Sequence, residues 1–223
     1  MRHRAPIFII LALILSFSLP CLAADQPVRH DFPPVGPYEV ITGDFHIHTV
    51  NSDGRLTTRN RVQEAYQWGY DAIAITDHGR SVAYTVAKAE GDKLGMIVLR
   101  GFETGLARKE HLVVLNAPLD LKIRDAHNWA ENPGEAKAFY QEQLTAIAEA
   151  GGIVIFAHPH VGYREPMLWA AKKGLIQGIE LKNGVVGTGW NTVESHGTHW
   201  YPDAVNFGLE HDLAFIANSD MHG

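Results

Sequence analysis

Short apolar runs alternate with amphipathic stretches from residue 39 to the end of the chain. Two of the runs, 71–76 and 152–157, are almost continuously apolar, as is typical of strands covered on both faces. The pattern predicts seven strands, at 40–47, 71–76, 96–102, 111–115, 153–157, 177–182 and 213–218. Helices are expected between them, from Thr57 or Thr58 to about Trp68, near 80–90, and at 135–150, 165–173 and 202–210. This alternation indicates an α/β protein with a mainly parallel sheet.

The segments outside this pattern are an N-terminal arm, two long loops and the C-terminal end. Residues 25–38 are rich in proline and are expected to form an extended arm. The segments 116–134 and 183–201 are predicted to be loops of the length that often forms lids or binding loops. The chain ends at Gly223 with no helix to cover the last predicted strand. We therefore expect either a chain truncated after that strand or a protein whose last strand is unusually bare.

The first 24 residues are predicted to be a signal peptide. Arg2 and Arg4 precede the apolar segment 7–19, and small residues follow at a candidate cleavage site. The apolar segment is shorter than the roughly 20 residues that a membrane-spanning helix needs. The alternatives are an uncleaved N-terminal anchor or a lipoprotein acylated at Cys21. We expect an exported protein, periplasmic or secreted, with no stable membrane anchor.

Cleavage would also change the charge and the set of possible metal ligands. Removal of residues 1–24 takes away two arginines and the only cysteine, leaving 17 basic and 25 acidic residues, a net charge of −8. An acidic surface is poorly suited to non-specific binding of nucleic acid or anionic membranes. Without cysteine, neither a disulfide nor a thiolate ligand is possible, so metals would be bound by imidazole, carboxylate and water.

Histidine and carboxylate residues gather at the ends of the predicted strands. His46 and His48 are two residues apart on a strand, so their imidazoles face the same side. Nine nitrogen and oxygen ligands exceed the needs of one four-coordinate ion and suit two or three divalent ions, of Zn, Mn or Fe, with Glu103 or Asp220 as a bridge. His111 opens an apolar run and has the alternative of being a strand-edge histidine. The candidate ligands are His46, His48, Asp53, His78, Glu103, His111, His158, Asp220 and His222.

Five motifs carry these residues in a fixed order: His46-x-His48 with Ser52-Asp53-Gly54, Thr76-Asp77-His78, Gly101-x-Glu103, Ala157-His158-Pro159 and Ser219-Asp220-x-His222. Together they resemble the PHP domain, named for polymerase and histidinol phosphatase, from Gly43 to the end of the chain. The resemblance implies a distorted seven-stranded (β/α)7 barrel, a single domain at 39–223, and a trinuclear site. It implies that His46, His48, Glu103 and Asp220 hold one metal, that Glu103, His111 and His158 hold the second, and that Asp53, His78 and His222 hold the third.

The resemblance also implies a reaction class. Activities of the family are phosphomonoester hydrolysis, phosphodiester hydrolysis and proofreading-type exonuclease work, and exported bacterial members similar to this chain are phosphodiesterases. We expect a metal-bound water, as hydroxide, to attack the phosphorus of a small-molecule phosphate ester, with a diester favoured. The alternatives are a phosphomonoesterase similar to histidinol phosphatase and an exported metal-binding protein without catalysis. The amidohydrolase family also opens with His-x-His, but it would need a bridging lysine in mid-chain, where this chain has Glu103.

Several residues near the predicted strand ends are candidates for other roles. His160 and Arg164 are the catalytic candidates beside the metal-bound water, with His160 assisting the leaving group. Arg80 and Asn183 are candidates for substrate binding, because their side chains can donate hydrogen bonds to phosphate oxygens. The alternative for each arginine is a solvated surface side chain. Asp77 is expected to face away from His78 and to support the neighbouring loop.

Overall fold

The structure is a computed structural model, and it describes residues 27–105, 110–118, 133–159, 164–185, 193–195 and 198–223. The helices are α1 (Thr58–Gln67), α2 (Tyr84–Leu94), α3 (Pro133–Glu149), α4 (Arg164–Lys172) and α5 (Pro202–Glu210). The strands are β1 (Gly43–Asp44), β2 (Ala72–Ile75), β3 (Ile97–Thr104), β4 (His111–Leu115), β5 (Ile153–Ala157), β6 (Gly178–Asn183), β7 (Val193–Ser195), β8 (Thr198–Trp200) and β9 (Ala214–Ala217). The predicted signal peptide lies outside the described residues.

Seven of the strands form a curled sheet in the order β1-β2-β3-β4-β5-β6-β9. The two edges of this sheet approach each other just beyond β1 and β9, where Ile47 and Met221 form a parallel bridge. The His48 backbone N–H donates to the Met221 carbonyl there at 2.9 Å. The predicted seven-stranded α/β barrel is confirmed, and this closure brings the residues after the first and last strands together.

The direction of β4 differs from that of its neighbours. It pairs antiparallel with β3 and β5, whereas the β1–β2, β2–β3, β5–β6 and β6–β9 pairs are parallel. The sheet is thus mainly parallel, as predicted, with one reversed strand. Because β4 is reversed, its first residue, His111, lies at the same end of the barrel as the last residues of the parallel strands.

The helices begin and pack as their sequences indicate. Thr57 caps α1, and its hydroxyl accepts from the Asn60 N–H at 3.3 Å. Helices α3, α4 and α5 cover β4, β5 and β6 through one apolar core that includes Leu144 and Phe156. Helices α1 and α2 cover β2 and β3 through a second core, which includes Val62. These two layers hold the strands whose ends carry the candidate ligands.

Two parts of the chain differ from a plain β/α repeat. The segment 183–201 was predicted to be a loop, and that prediction was wrong where β7 and β8 form an antiparallel hairpin beside β6. Strands of three residues are too short to show a periodic pattern in the sequence. Ala214, Phe215 and Ala217 of β9 are exposed. Among the described residues, the helices are all too short or too polar to span a membrane.

Candidate metal centre

The alternation of side chains along the strands brings the candidate ligands to one end of the barrel interior. Val113 and Leu115 belong to an apolar cluster inside the barrel, and His111 lies on the same face of β4. Leu99 packs against this cluster, and Glu103 lies on the same face of β3. All nine predicted ligands lie together here. A cavity of about 200 Å³ is lined by Asp53, His78, Glu103, His111, His158, Val185, Asp220 and His222.

Glu103 lies at the centre of the cluster. One of its oxygens, Oε1, is 2.7 Å from His111 Nδ1, 3.1 Å from His158 Nε2 and 3.3 Å from His46 Nε2. The other, Oε2, is 3.0 Å from His78 Nδ1 and 3.3 Å from His48 Nε2. One buried carboxylate therefore faces five imidazoles, which is the arrangement expected of a carboxylate that bridges metal ions.

Three buried atoms of the cluster show whether its residues fit a metal ion. His46 Nε2, His48 Nε2 and Asp220 Oδ1 have no hydrogen-bond partner in the part of the chain that the structure describes. Yet Asp220 Oδ1 is 3.2 Å from His46 Nε2 and 3.1 Å from His48 Nε2. The ligand atoms of these three residues lie within 4.8 Å of one another around a common point, and burying them unpaired is costly. A divalent cation at that point would bind all three, so the residues fit a metal of the class that imidazole and carboxylate prefer.

The described residues form three groups whose ligand atoms lie within 4.8 Å of one another. The outer group is His48, Asp53, His78 and His222, and the two buried groups are His46, His48 and Asp220, and His46, Glu103 and His158. Asp53, His78 and His222 gather as the resemblance implied, with His48 added. His111 belongs to none of the three groups, although its ring nitrogen contacts Glu103. Which ions these groups hold stays a prediction.

The loop that carries Asp53 is pressed against the backbone of His48. A Cβ atom at Gly54 would lie 2.5 Å from the His48 carbonyl carbon, so only glycine fits there. This close approach brings Asp53 Oδ1 to 3.5 Å from His48 Nδ1 and 3.3 Å from His222 Nε2. The glycine of the Ser52-Asp53-Gly54 motif thus serves to place the carboxylate of the outer group.

Asp77 supports this loop through hydrogen bonds, as predicted. Its side chain is buried and accepts from the Thr49 N–H and the Thr49 hydroxyl, both at 2.7 Å, and from the Ser52 hydroxyl at 2.9 Å. The Asn51 amide donates to it at 3.4 Å. Asp77 therefore fixes the segment between His48 and Asp53 without contacting the cavity.

The sequence analysis missed Glu180, a completely buried acid in β6. Its Oε1 is 2.8 Å from both His46 Nδ1 and Asn218 Nδ2. Its Oε2 accepts from the His158 backbone N–H at 2.6 Å and from Asn183 Nδ2 at 3.2 Å. The signal available in the sequence was an acid in the middle of a strand predicted to be apolar, which requires buried partners.

The residues predicted to bind substrate or to assist catalysis lie in different surroundings. Asn183 is fully buried, and its amide donates to Glu180 and, at 3.2 Å, to Asp220 Oδ2. Both of these contacts are with buried carboxylates, and a role of Asn183 in substrate binding stays a prediction. Arg80 is exposed in the loop after His78, so its role in substrate binding stays a prediction. His160 and the side chain of Arg164 lie outside the described residues.

Two of the candidate ligands have unusual backbone conformations. His158 has a φ of 23° and Asp220 a φ of 53°, in the left-handed region that residues other than glycine seldom adopt. Such conformations cost free energy and persist where the surroundings impose them, which is common at functional sites. At His158 the surroundings include Glu180, which accepts its backbone N–H.

The charges of the cluster shift several pKa values strongly. Burial alone would lower the pKa of His46, but the negative charges of Glu180 and Glu103 outweigh it and raise that pKa well above its usual value. Burial likewise opposes protonation of His48, yet the nearby carboxylates of Asp220 and Glu103 raise its pKa to about 9. Burial would raise the pKa of Glu103, but the charge of His46 and bonds to His111 and His158 lower it well below the ordinary value. In the metal-free protein these shifts favour protonated His46 and His48, so a binding cation must displace protons from both rings.

Comparison with known proteins identifies a family for this chain. Residues 44–172 match the family model described as PHP domain. A DNA polymerase III of the PolC type from Bacillus cereus is 30% identical over 145 residues, which are 60% of this chain and 10% of that protein. The chain thus spans about a tenth of the length of that relative.

Solved structures share the fold. A two-domain protein from Bacteroides vulgatus, containing a predicted PHP-like metal-dependent phosphoesterase, matches with a TM-score of 0.69 and 22% identity over 89% of this chain and 57% of that chain. A proposed metal-dependent phosphoesterase from Bifidobacterium adolescentis matches with a TM-score of 0.62 and 18% identity over 82% of this chain and 88% of that chain. At these identities the likeness establishes the barrel, and the chemistry has to be argued from the residues.

Proposed function

The chain belongs to the PHP domain family, and from that premise we propose that it is a metal-dependent hydrolase of small phosphodiesters. The observation that carries the proposal is the convergence of His46 Nε2, His48 Nε2 and Asp220 Oδ1, buried and without hydrogen-bond partners among the described residues. Glu103 faces the same point and contacts five imidazoles. Burying these polar atoms without partners is costly, and a bound cation would provide the missing partner.

The chain's own residues divide the work of holding two or three divalent ions, of Zn, Mn or Fe. Glu103 would bridge ions held by the two buried groups, and the outer group would hold a further one. His111, whose Nδ1 is 2.7 Å from Glu103 Oε1, would complete or orient the bridge. When bound, the ions would supply an activated water and neutralise charge on the phosphoryl oxygens.

Exposure indicates from which side a substrate would enter. Asp53 and His78 are 53% and 39% exposed, whereas His46 and Glu103 are at most 1% exposed. A phosphate ester would therefore reach the cluster across the outer group, with the buried groups behind it. His160 and Arg164 belong to the proposal as the residues that assist the leaving group and contact the phosphate, and Arg80 as a further phosphate contact.

The preference for a diester rests on the resemblance to exported phosphodiesterases of the family. A phosphomonoesterase would use the same centre, and a metal-binding protein without catalysis would keep the ligands and lack turnover. The PolC-type relatives are polymerases by name, yet they match through a small part of their length. We favour a small-molecule substrate, because the net charge of −6 is unfavourable for binding nucleic acid.

The test is hydrolysis of bis(p-nitrophenyl) phosphate and p-nitrophenyl phosphate by purified protein. Turnover should disappear with a chelator, return with Mn²⁺ or Zn²⁺, and be faster on the diester. Asp220→Ala should abolish it, whereas Asp92→Asn, at a side chain that is 57% exposed, should leave it unchanged. Faster turnover of the monoester would favour the phosphatase. No turnover by a folded, metal-loaded protein would favour the binding protein.

Export is a separate part of the proposal and has its own test. The segment 1–24 has the charge and apolar pattern of a signal peptide, so the mature protein should begin at residue 24 or 25. Expression of the full chain in a Gram-negative host, followed by mass spectrometry of the periplasmic fraction, would measure that mass. An intact N-terminus found in the cytoplasm would contradict export.

A further inference from the structure

Glu180 receives four hydrogen-bond donors and lies outside the cavity. The donors are the His46 ring, the His158 backbone and the side-chain amides of Asn183 and Asn218. Two of them, His46 and Asn218, face Oε1, and the other two face Oε2. Glu180 is 0% exposed, so water cannot replace any of these contacts.

We propose that Glu180 is the positioning residue of the buried half of the metal centre and fixes which nitrogen of His46 can bind metal. A carboxylate only accepts hydrogen bonds, so the 2.8 Å contact places the proton of His46 on Nδ1. When a binding cation displaces the other proton, the lone pair lies on Nε2, the atom that faces Glu103 and Asp220. The inference rests on the proposed metal centre and deepens it, because it assigns a role to a residue outside the nine candidate ligands.

The same carboxylate also fixes two other candidate ligands through their neighbours. Its Oε2 holds the backbone N–H of His158, whose positive φ turns that ring toward Glu103 at 3.1 Å. Asn183 donates to both Glu180 and Asp220, so the position of Asp220 depends on the same acceptor. Glu180 thus connects His46, His158 and Asp220, which are ligands of the buried groups. The hydrogen bonds that Asp77 accepts from Thr49, Asn51 and Ser52, here called the Asp77 network, support the outer group separately.

Glutamine at this position has the same shape and the wrong hydrogen-bonding pattern. An amide has one accepting oxygen and one donating nitrogen, whereas the site presents donors to both ends. The His158 backbone N–H cannot change its polarity, so the glutamine oxygen must face it. The amide nitrogen then faces His46 Nδ1, which has to become an acceptor. That change moves the imidazole proton to Nε2 and blocks the atom that would bind metal.

The experiment compares metal binding by the full chain with and without Glu180→Gln. Metal-free protein is dialysed to equilibrium against Zn²⁺ over a range of free concentrations, and zinc per chain is measured by mass spectrometry. We expect the tightest zinc positions to weaken about 10- to 100-fold, the usual effect of removing a hydrogen-bond partner of a metal-binding histidine. Glu149→Gln, at an exposed residue of α3, is the matched control and should bind zinc like the parent.

A second measurement on the unchanged sequence does not depend on whether the variant folds. In zinc-loaded protein with ¹⁵N-labelled histidine, long-range proton–nitrogen spectra distinguish a protonated Nδ1 from a protonated Nε2. His46, assigned from the loss of its signals in His46→Gln, should carry its proton on Nδ1.

The outcomes separate this inference from the proposed function. A proton on Nε2 of His46, or zinc binding by folded Glu180→Gln equal to that of the parent, would overturn the positioning role and leave the metal centre standing. A parent protein that binds no divalent metal would refute the proposed function itself. Weakened binding with near-ultraviolet circular dichroism like that of the parent would support the positioning role, since a general loss of structure would change that signal.

Discussion

The Asp77 network offers a sharp test of how the outer group is held. Replacing Asp77 with alanine removes both acceptors of Thr49, whose backbone N–H and hydroxyl each bond to the carboxylate at 2.7 Å. Thr49 is fully buried, so its N–H would stay unpaired. Asparagine is the milder change, because its oxygen can still accept the backbone N–H while its amide nitrogen donates to the Thr49 hydroxyl.

The size of the effect follows from these contacts. A hydrogen bond to a charged group contributes about 1.5–3 kcal/mol, so the two bonds to Thr49 together contribute about 3–6 kcal/mol. Ser52 and Asn51 lie nearer the surface and can turn toward water, so they add little. We expect Asp77→Ala to lower the free energy of unfolding by about 3 kcal/mol and Asp77→Asn by about 1 kcal/mol. A domain with about 5–15 kcal/mol of stability would remain folded.

The assay is urea denaturation of metal-free protein, paired with zinc titration of the folded protein. Loosening of the loop should weaken the zinc position of the outer group, which contains Asp53, while the buried positions supported by Glu180 keep their affinity. Asp92→Asn is the control, because its exposed pair with Lys88 contributes only about 0.3–0.5 kcal/mol. An Asp77→Ala protein whose free energy of unfolding is within about 0.5 kcal/mol of the parent's would refute the reasoning, because that difference is smaller than the contribution expected of either bond.

Three further predictions follow from single contacts. In the metal-free protein His48 has a pKa of about 9, whereas in the unfolded chain its pKa is 6.5. Its contribution to the free energy of unfolding is therefore complete below pH 6.5 and is lost as the pH rises to about 9. Urea denaturation with chelator should therefore show falling stability over that range, and zinc-loaded protein, in which metal replaces the proton, should not follow it. Gly54→Ala would force a Cβ to 2.5 Å from the His48 carbonyl carbon and should weaken the outer zinc position in the same titration, an effect that unchanged affinity would contradict. Thr57→Ala removes the cap of α1 and should cost about 1 kcal/mol in thermal unfolding, whereas Thr57→Ser should cost less.

The apolar pattern predicted most of the barrel because all of its helices, and all of its strands except β1, are long enough to show a repeating pattern. All seven barrel strands and all five described helices lie at or near the predicted positions. The candidate metal ligands could be predicted from the sequence for a different reason. Imidazoles and carboxylates at strand ends are unusual in an apolar pattern, and parallel strands bring their ends together, as His46 and His158 illustrate.

What the sequence did not reveal depends on contacts between distant segments. The reversal of β4 cannot be seen in its own residues, yet it is what brings His111 to the ligand end of the barrel. Glu180 was missed, and the contact of Asn183 with Asp220 was not foreseen, because the partners His46 and Asp220 are 134 and 37 residues away. An acid or amide near a strand end can face solvent, substrate or a buried partner, and only packing distinguishes these.

Asp77 supports the outer group and Glu180 supports the two buried groups. This division has a consequence for how the metal centre would attract its substrate. The described residues that line the cavity are carboxylates, imidazoles and one valine, with no lysine or arginine among them. The carboxylates of Asp53, Glu103 and Asp220 would repel a phosphate, so bound cations would have to supply the attraction that this lining lacks. The outer group is the half that a substrate meets first, so its ion should determine substrate affinity more than the buried ions do. On this argument Asp77→Ala should raise KM for the diester, whereas Glu180→Gln should lower kcat. The same loss of kcat and KM in both variants would mean that the two halves act as one unit.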